Sequence, residues 1–180
     1  MSHPAFFGYG SLVNLATHGY ADPRPAELVG WRRVWRGTDL RKVAYLSVTP
    51  DPDGSLQGVV AQVPNGDWEA LDLREAAYAR QDVSHQVATD GTSTTTAVYQ
   101  VRPENVVAHD NRPILLSYID VVVQGYLRLF GEDGVAAFFS STDGWHLPLE
   151  DDRAAPIYPR HQRLSQTERA LVDRHLATVV

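Results

Sequence analysis

Two stretches of this chain carry residues whose types and spacing could do chemistry. The first is FFGYGSLVN, residues 6–14, where an apolar pair runs into a Gly-Tyr-Gly turn that delivers Ser11. Such a turn can cradle a phosphate, present a serine nucleophile, or hold a small ligand on backbone N–H groups. Two of these patterns do not close. A dinucleotide fingerprint, G-x-G-x-x-G, needs a third glycine where Val13 stands, and a nucleophile elbow, G-x-S-x-G, needs glycine at the same place. A Walker loop would need Gly-Lys-Ser/Thr, which does not follow. On spacing alone the turn is either a tight bend or a backbone-lined site for an anion or carbonyl.

The second stretch is LDLREAAYAR, from Leu71 to Arg80. Asp67 can cap a short helix beginning at Trp68, and at helical spacing Trp68, Leu71 and Glu75 share a face. Glu75 therefore points toward the core. Burial disfavours a carboxylate's charged form and raises its pKa, which suits a group that takes and returns a proton near neutrality. The competing reading is a structural ion pair with Arg74 or Arg80. The histidines (His3, His18, His85, His109, His146, His161, His175) show no H-x-x-x-H or H-E-x-x-H spacing, so no metal pair is expected. Asp151, Asp152 and Arg153 read as a solvated charge cluster. PIYPRHQ, which concentrates Tyr158, Arg160 and His161 between prolines, reads as a rigid surface connection.

The elements that must position these residues follow from the pattern. Residues 5–9 read as a short buried strand stopped by glycine, and ADPRPAEL as a proline-broken loop. WRRVWRGTDLRKVAYLSVTP holds two strands. DPDGS, residues 51–55, is a turn signal that predicts a hairpin of AYLSV with LQGVVAQV. DGTSTTTAVYQVRP reads as a turn, then a strand. Pro113 opens the best helix, with Ile114, Leu115, Tyr118, Val121, Val122, Tyr126 and Leu129 on its apolar face. A second short helix covers EDGVAAFF. The last begins at Ser165 with Glu168 completing a capping box. Strands in front and helices behind give an α+β class in one domain over 1–180.

Composition bounds the rest. The 180 residues are 43% hydrophobic and 21% charged with net charge −6, an ordinary globular balance without a basic stripe, so nucleic acid is not an expected partner. No apolar run is long enough to span a membrane, and the N-terminus lacks a secretory pattern, which makes the cytoplasm the expected location. The absence of cysteine excludes disulfides and thiolate chemistry.

Taken as a pair, Tyr9-Gly10-Ser11-Leu12 and Leu71-Asp72-x-Arg74-Glu75 with Tyr78 after it resemble the gamma-glutamylcyclotransferase-like superfamily. The likeness is closest to its ChaC-like members, in a superfamily that also holds AIG2-like ones. W-R-G-T-D-L-R and L-Q-G-V-V sit where that superfamily places strands of a small mixed β-barrel with flanking helices. The likeness covers the first half of the chain. It departs at Ala76 and Ala77, which fill the gap before the tyrosine, where ChaC-like members usually have glycine.

The resemblance implies an intramolecular aminolysis without cofactor or metal. The alpha-amine of a gamma-glutamyl group attacks its own gamma-carbonyl, closing 5-oxoproline and releasing the attached amine. Glu75 would be the general acid/base, and Tyr9, Gly10, Ser11, Leu12 and Tyr78 would bind the small-molecule gamma-glutamyl substrate. Two other readings stay open: a non-catalytic binding module of the same fold, and a hydrolase using Ser11 with one of the histidines. The sequence leaves the departing amine and the oligomeric state undetermined.

Overall fold

The computed structural model describes residues 3–88, 95–108 and 111–180. In chain order the strands and helices are β1 (Ala5–Gly8), β2 (Arg24–Gly37), β3 (Ala44–Gln62), α1 (Glu69–Arg74), β4 (Tyr78–Asp82), β5 (Val87–Ala88), β6 (Thr96–Val101), β7 (Ile114–Leu115), α2 (Leu116–Ser140), β8 (Thr142–Asp143), β9 (Leu149–Glu150) and α3 (Gln166–Leu176). Seven strands form one mixed sheet in the order β4-β6-β1-β3-β2-β5, with β8 also against β2. β1 runs parallel to β6, and β2 to β8; the other pairs are antiparallel. The sheet curls into a half-barrel flanked by the helices, the α+β arrangement expected from the sequence, and its path does not join β4 to β5. β7 and β9 form a separate parallel pair.

β1 is central, with β3 on one side and β6 on the other, and all four of its residues are buried. Alternation sends its two phenylalanines to opposite faces. Phe7 joins the main core, built from β2, β3, the apolar side of α2 and Leu171, Val172 and Leu176 of α3. Phe6 joins a smaller cluster with Leu12, Val63, Leu71 and Tyr99, where α1 packs. The α3 capping box is present as expected, with Ser165 and Glu168 exchanging hydrogen bonds. Among the described residues, no helix is long and apolar enough to cross a membrane.

Several local expectations are corrected. AYLSV and LQGVVAQV do not pair with each other: both belong to β3 and both pair with β2. Pro50 faces Trp31 and Ser55 faces Val29, so residues 51–54 of β3 bulge out opposite Gly30 alone. Gly30 has φ +84°, a left-handed conformation open to glycine at little cost. The turn-forming residues thus bend a long ladder without reversing it. ADPRPAEL is a loop only up to Pro23. β2 starts at Arg24, and Pro25 is tolerated because the second partner of β2, β5, begins pairing at Glu27. After Pro113 the chain first makes β7; α2 starts at Leu116. The two expected helices are the halves of α2, which meet at the non-helical Gly131 (φ 67°). The expected turn over residues 90–94 lies outside the described residues, as does His109.

Asp152 and Arg153 are not a solvated cluster. Asp152 is buried and accepts from the N–H groups of Ser117 and Ile157, at 2.8 Å each. It thereby satisfies a first-turn donor of α2 that the helix cannot. Arg153 reaches Asp120 by two bonds (2.8 and 2.7 Å) and Asp173 by one of 2.7 Å, tying the proline-rich segment to α2 and α3.

Arg33 on β2 is the largest fully buried side chain, 1% exposed. Its guanidinium donates to the carbonyls of Tyr9 (3.2 Å) and Gln57 (2.7 Å), to the Ser141 hydroxyl (2.8 Å) and to the Tyr126 hydroxyl (2.5 Å). The end of β1, β3 and both halves of α2 thus meet on one side chain. Arg33→Met, which removes all these donors and leaves the buried Tyr9 and Gln57 carbonyls to share the one proton of the Tyr126 hydroxyl, is expected to cost about 2–5 kcal/mol. Arg33→Lys recovers only part of that, because a compact ammonium cannot span the same acceptors. Denaturant unfolding measures both; a lysine variant as stable as the parent chain would refute the role of the fork.

Candidate active site

The site begins where β1 stops. Gly8 is required by close approach, since a Cβ there would stand 2.7 Å from Leu12 Cβ. A Cβ on Gly10 would meet the Tyr118 hydroxyl oxygen at 2.6 Å. Ser11–Val13 then form a single 3-10 turn, closed by Val13 N–H to Gly10 carbonyl (2.9 Å) and Asn14 N–H to Ser11 carbonyl (3.1 Å). Asn14 anchors the turn from below. It is fully buried, and its Nδ2 donates to the Val121 carbonyl (2.9 Å) and to Gln124 Oε1 (3.0 Å) on α2. Helix and turn touch backbone to backbone at Gly125, where a Cβ would lie 2.6 Å from Asn14 N.

One pocket is lined by Tyr9, Gly10, Ser11 and Leu12 from this turn together with Glu75 and Tyr78, so all six residues singled out by the sequence share a cavity. Phe7, Gly8, Leu46, Tyr99 and Tyr118 complete its wall. The tyrosine hydroxyls are committed locally: Tyr9 donates to the Tyr99 carbonyl (2.6 Å) and Tyr78 to the Leu46 carbonyl (2.9 Å). Tyr118 accepts a long bond of 3.4 Å from Ser11 N–H. Burial raises the pKa of Tyr9, Tyr78 and Tyr118 above the ordinary phenol value, so these three hydroxyls stay uncharged at neutral pH. Glu75 is the only carboxylate among the lining residues.

Glu75 is not inside the helix. α1 ends at Arg74, and Glu75 is its C-cap (φ −102°, ψ 33°) with its N–H on the Leu71 carbonyl at 2.9 Å. Leu71 is buried beneath it, as the shared face implied. The ion pair with Arg74 is also present, Nε to Oε1 at 3.2 Å. Burial raises the Glu75 pKa and outweighs Arg74, then Arg160, which lower it. Arg80 pairs instead with Asp72 at 2.9 Å and lies 4.5 Å from the Trp68 ring centroid. The reading of Glu75 as buried beside the turn and the reading as an ion pair therefore describe one geometry.

No histidine lines this pocket. His18 lies beyond the turn with both ring nitrogens engaged: Nδ1 accepts from Tyr20 N–H (3.2 Å) and Nε2 meets the Leu12 carbonyl (2.9 Å). Since Nδ1 must accept, the proton sits on Nε2, and neither nitrogen is open to serve Ser11 as a base. Three features escaped the sequence reading: Tyr118, which stood there as one more residue of an apolar helix face, Asn14, and the Arg33 brace. A hydroxyl on a largely aliphatic face was the only hint of the first, and Tyr126 shares that face.

The sequence matches the family described as "Gamma-glutamyl cyclotransferase, AIG2-like" over residues 6–118. Among solved structures, the fold is similar to YkqA from Bacillus subtilis (TM-score 0.63, 19% identity, covering 82% of this chain and 56% of that one). The chain thus spans little more than half the length of that protein. It is also similar to a protein named gamma-glutamyl cyclotransferase (TM-score 0.60, 14% identity, 95% of this chain and 98% of that one). A third likeness is to the uncharacterized protein loc79017 from Homo sapiens (TM-score 0.63, 15% identity, 96% and 99%). At these identities the likeness is one of fold. No curated protein matches the sequence.

The close approach of Tyr118 to Gly10 gives a direct test of how the turn is held. Gly10→Ala is expected to destabilise the protein by about 1–3 kcal/mol through overpacking. Adding Tyr118→Phe, which removes the clashing oxygen, should recover part of that loss. A double-mutant cycle by thermal or denaturant unfolding measures the coupling, and strict additivity would show that the two residues do not press on each other.

Proposed function

This chain belongs to the gamma-glutamyl cyclotransferase, AIG2-like family, and on that premise we propose that it cyclises a gamma-glutamyl group to 5-oxoproline and releases the attached amine, with Glu75 moving the proton. The observation that carries the proposal is the shared pocket: the one lining carboxylate faces the same cavity as the Tyr9–Leu12 turn.

The alpha-ammonium of the substrate must lose a proton before its nitrogen can attack. The Glu75 carboxylate takes it, and its raised pKa makes it a better base than an exposed glutamate. Attack forms the ring C–N bond and pushes charge onto the gamma-carbonyl oxygen. Turn N–H groups receive that charge. Tyr118, kept protonated by burial, can exchange its long bond with Ser11 for a donated bond to the same oxygen. The second C–N bond then breaks. Overall two protons leave the ring nitrogen and two reach the departing nitrogen, which goes as an ammonium, so the sequence closes without a cofactor. Amine and carbonyl belong to one molecule, so a pocket that holds the chain curled contributes through orientation. In this scheme Ser11 binds and does not attack.

The Arg74 contact favours a second reading, a non-catalytic module that uses an ionised Glu75 to bind a cationic ligand. Release of 5-oxoproline from gamma-glutamyl amino acids, gamma-glutamyl amines or glutathione separates the two, and its absence across that series would sink the enzymatic reading.

Glu75→Gln is expected to keep the fold and lower turnover by about 10²–10⁴-fold. The acid limb of the parent pH–rate profile should lie above the ordinary carboxyl value of 4.5. Arg74→Ala should move that limb to still higher pH, because Arg74 is the largest influence opposing burial. Stability carries the same signature. With the folded pKa raised, the unfolded chain releases its proton first, so the parent protein loses stability relative to Glu75→Gln as pH rises from 4.5 through the folded value. Melting temperatures of both proteins across that range check the sign.

A further inference from the structure

Beside the inner pocket lies a larger groove of about 450 Å³. Leu46, Tyr78 and Tyr118 border both cavities, so the groove adjoins the site. Its walls are mostly carbon. Trp35 and Tyr45 come from the β2–β3 hairpin, and Ile157, Tyr158 and Pro159 from the proline-rich segment. Tyr158 stands edge-on to Tyr118 with ring centroids 4.9 Å apart. Ile157 leaves 51% of its surface exposed, although Asp152 holds its backbone in place. Two basic side chains give the groove polar character: Arg41 and Lys42 line it, opposed by the single carboxylate of Glu150.

We propose that this groove receives the departing amine and selects amines that carry a bulky apolar or aromatic group and a carboxylate, that is, gamma-glutamyl adducts of aromatic or branched amino acids. The inference rests on the cyclotransferase reading and deepens it. A substrate with its gamma-carbonyl at Glu75 extends past Leu46, Tyr78 and Tyr118 into the groove. There an aromatic or branched side chain covers apolar wall that a small amine leaves wet. A carboxylate meets the excess positive charge of Arg41 and Lys42. Glu150, Ile157, Tyr158 and Pro159 lie beyond residues 6–118, the part that matches the family.

The test compares 5-oxoproline release from gamma-glutamyl-phenylalanine, gamma-glutamyl-leucine, gamma-glutamyl-glycine and gamma-glutamyl-phenethylamine, the last lacking the carboxylate. The expected kcat/KM for the phenylalanine adduct exceeds that for the glycine adduct by about tenfold or more, with phenethylamine between them. Ile157→Glu and Tyr158→Ala should bring the phenylalanine-to-glycine ratio toward one. Arg41→Ala should bring the phenylalanine adduct down to the phenethylamine level. Equal rates for phenylalanine and glycine adducts, or ratios that none of these variants moves, overturn the groove assignment and leave the cyclotransferase reading intact. If no adduct releases 5-oxoproline, that reading falls, and calorimetric binding to the parent chain decides the groove. Tighter binding of the phenylalanine adduct than of the glycine adduct upholds it; equal or absent binding overturns it.

Discussion

The buried guanidinium of Arg33 is the constraint on which the rest of this structure turns. A charge taken fully out of water must be met by acceptors on several sides. Here they are the Tyr9 and Gln57 carbonyls and the hydroxyls of Tyr126 and Ser141. The rings of Tyr126 and Phe138 lie 5.0 and 5.3 Å from the guanidinium carbon. These partners come from separate elements, so none can shift without unpairing something buried. The effect on the site is geometric. No described peptide bond is cis. In a trans peptide the carbonyl and the next N–H point opposite ways. Holding the Tyr9 carbonyl toward Arg33 therefore aims the Gly10 N–H the other way.

α2 then serves as a ruler along the turn. Tyr118 reaches the pocket, Val121 and Gln124 hold Asn14, Gly125 lets the two backbones touch, and Tyr126 meets Arg33. Tyr118, Val121 and Gly125 repeat at helical spacing, with Gln124 and Tyr126 flanking them, so one helix fixes the turn from the pocket to its base. Asp152 and Arg153 in turn fix the helix, the first at the Ser117 N–H of its first turn and the second at Asp120. Asp152, through the N–H of Ile157, also sets where the neighbouring Tyr158 stands against Tyr118. Groove and pocket are therefore positioned by a common support.

What the sequence made legible were features whose cause is local. The capping box of α3 needs only Ser165 and Glu168, and the burial of β1 needs only its apolar run ended by glycine. The pairing of the turn with Glu75 was legible as a resemblance, and the two stretches do line one cavity. What stayed hidden depends on partners distant in sequence. DPDGS looks like a reversal until β2 is seen running past it on both sides. Asp152 looks solvated until the first turn of α2 is seen above it. Arg33 stands among aromatic and β-branched strand residues, and nothing near it in sequence shows that its acceptors lie on β1, β3 and α2. Pro113 is a fair helix-opening signal, defeated because Ile114 and Leu115 find strand partners in Leu149 and Glu150.

Glu75 shows why an ion pair and an acid/base role need not exclude each other. A carboxylate gripped by a two-pronged arginine fork would be held ionised and weakly basic. Arg74 does not make that fork. Its Nε contacts Glu75, its Nη1 reaches toward the Thr17 carbonyl at 3.5 Å, and its Nη2 has no partner among the described residues. The guanidinium also is not part of the pocket lining, so its charge acts from behind the carboxylate. Burial raises the pKa, and one incomplete contact restrains the rise. A proton-transfer group needs that balance: basic enough to accept a proton, yet still ionised often enough to be ready. No histidine lines the pocket to serve the serine in the turn, and under the cyclotransferase proposal the proton transfer falls to Glu75 at the end of α1.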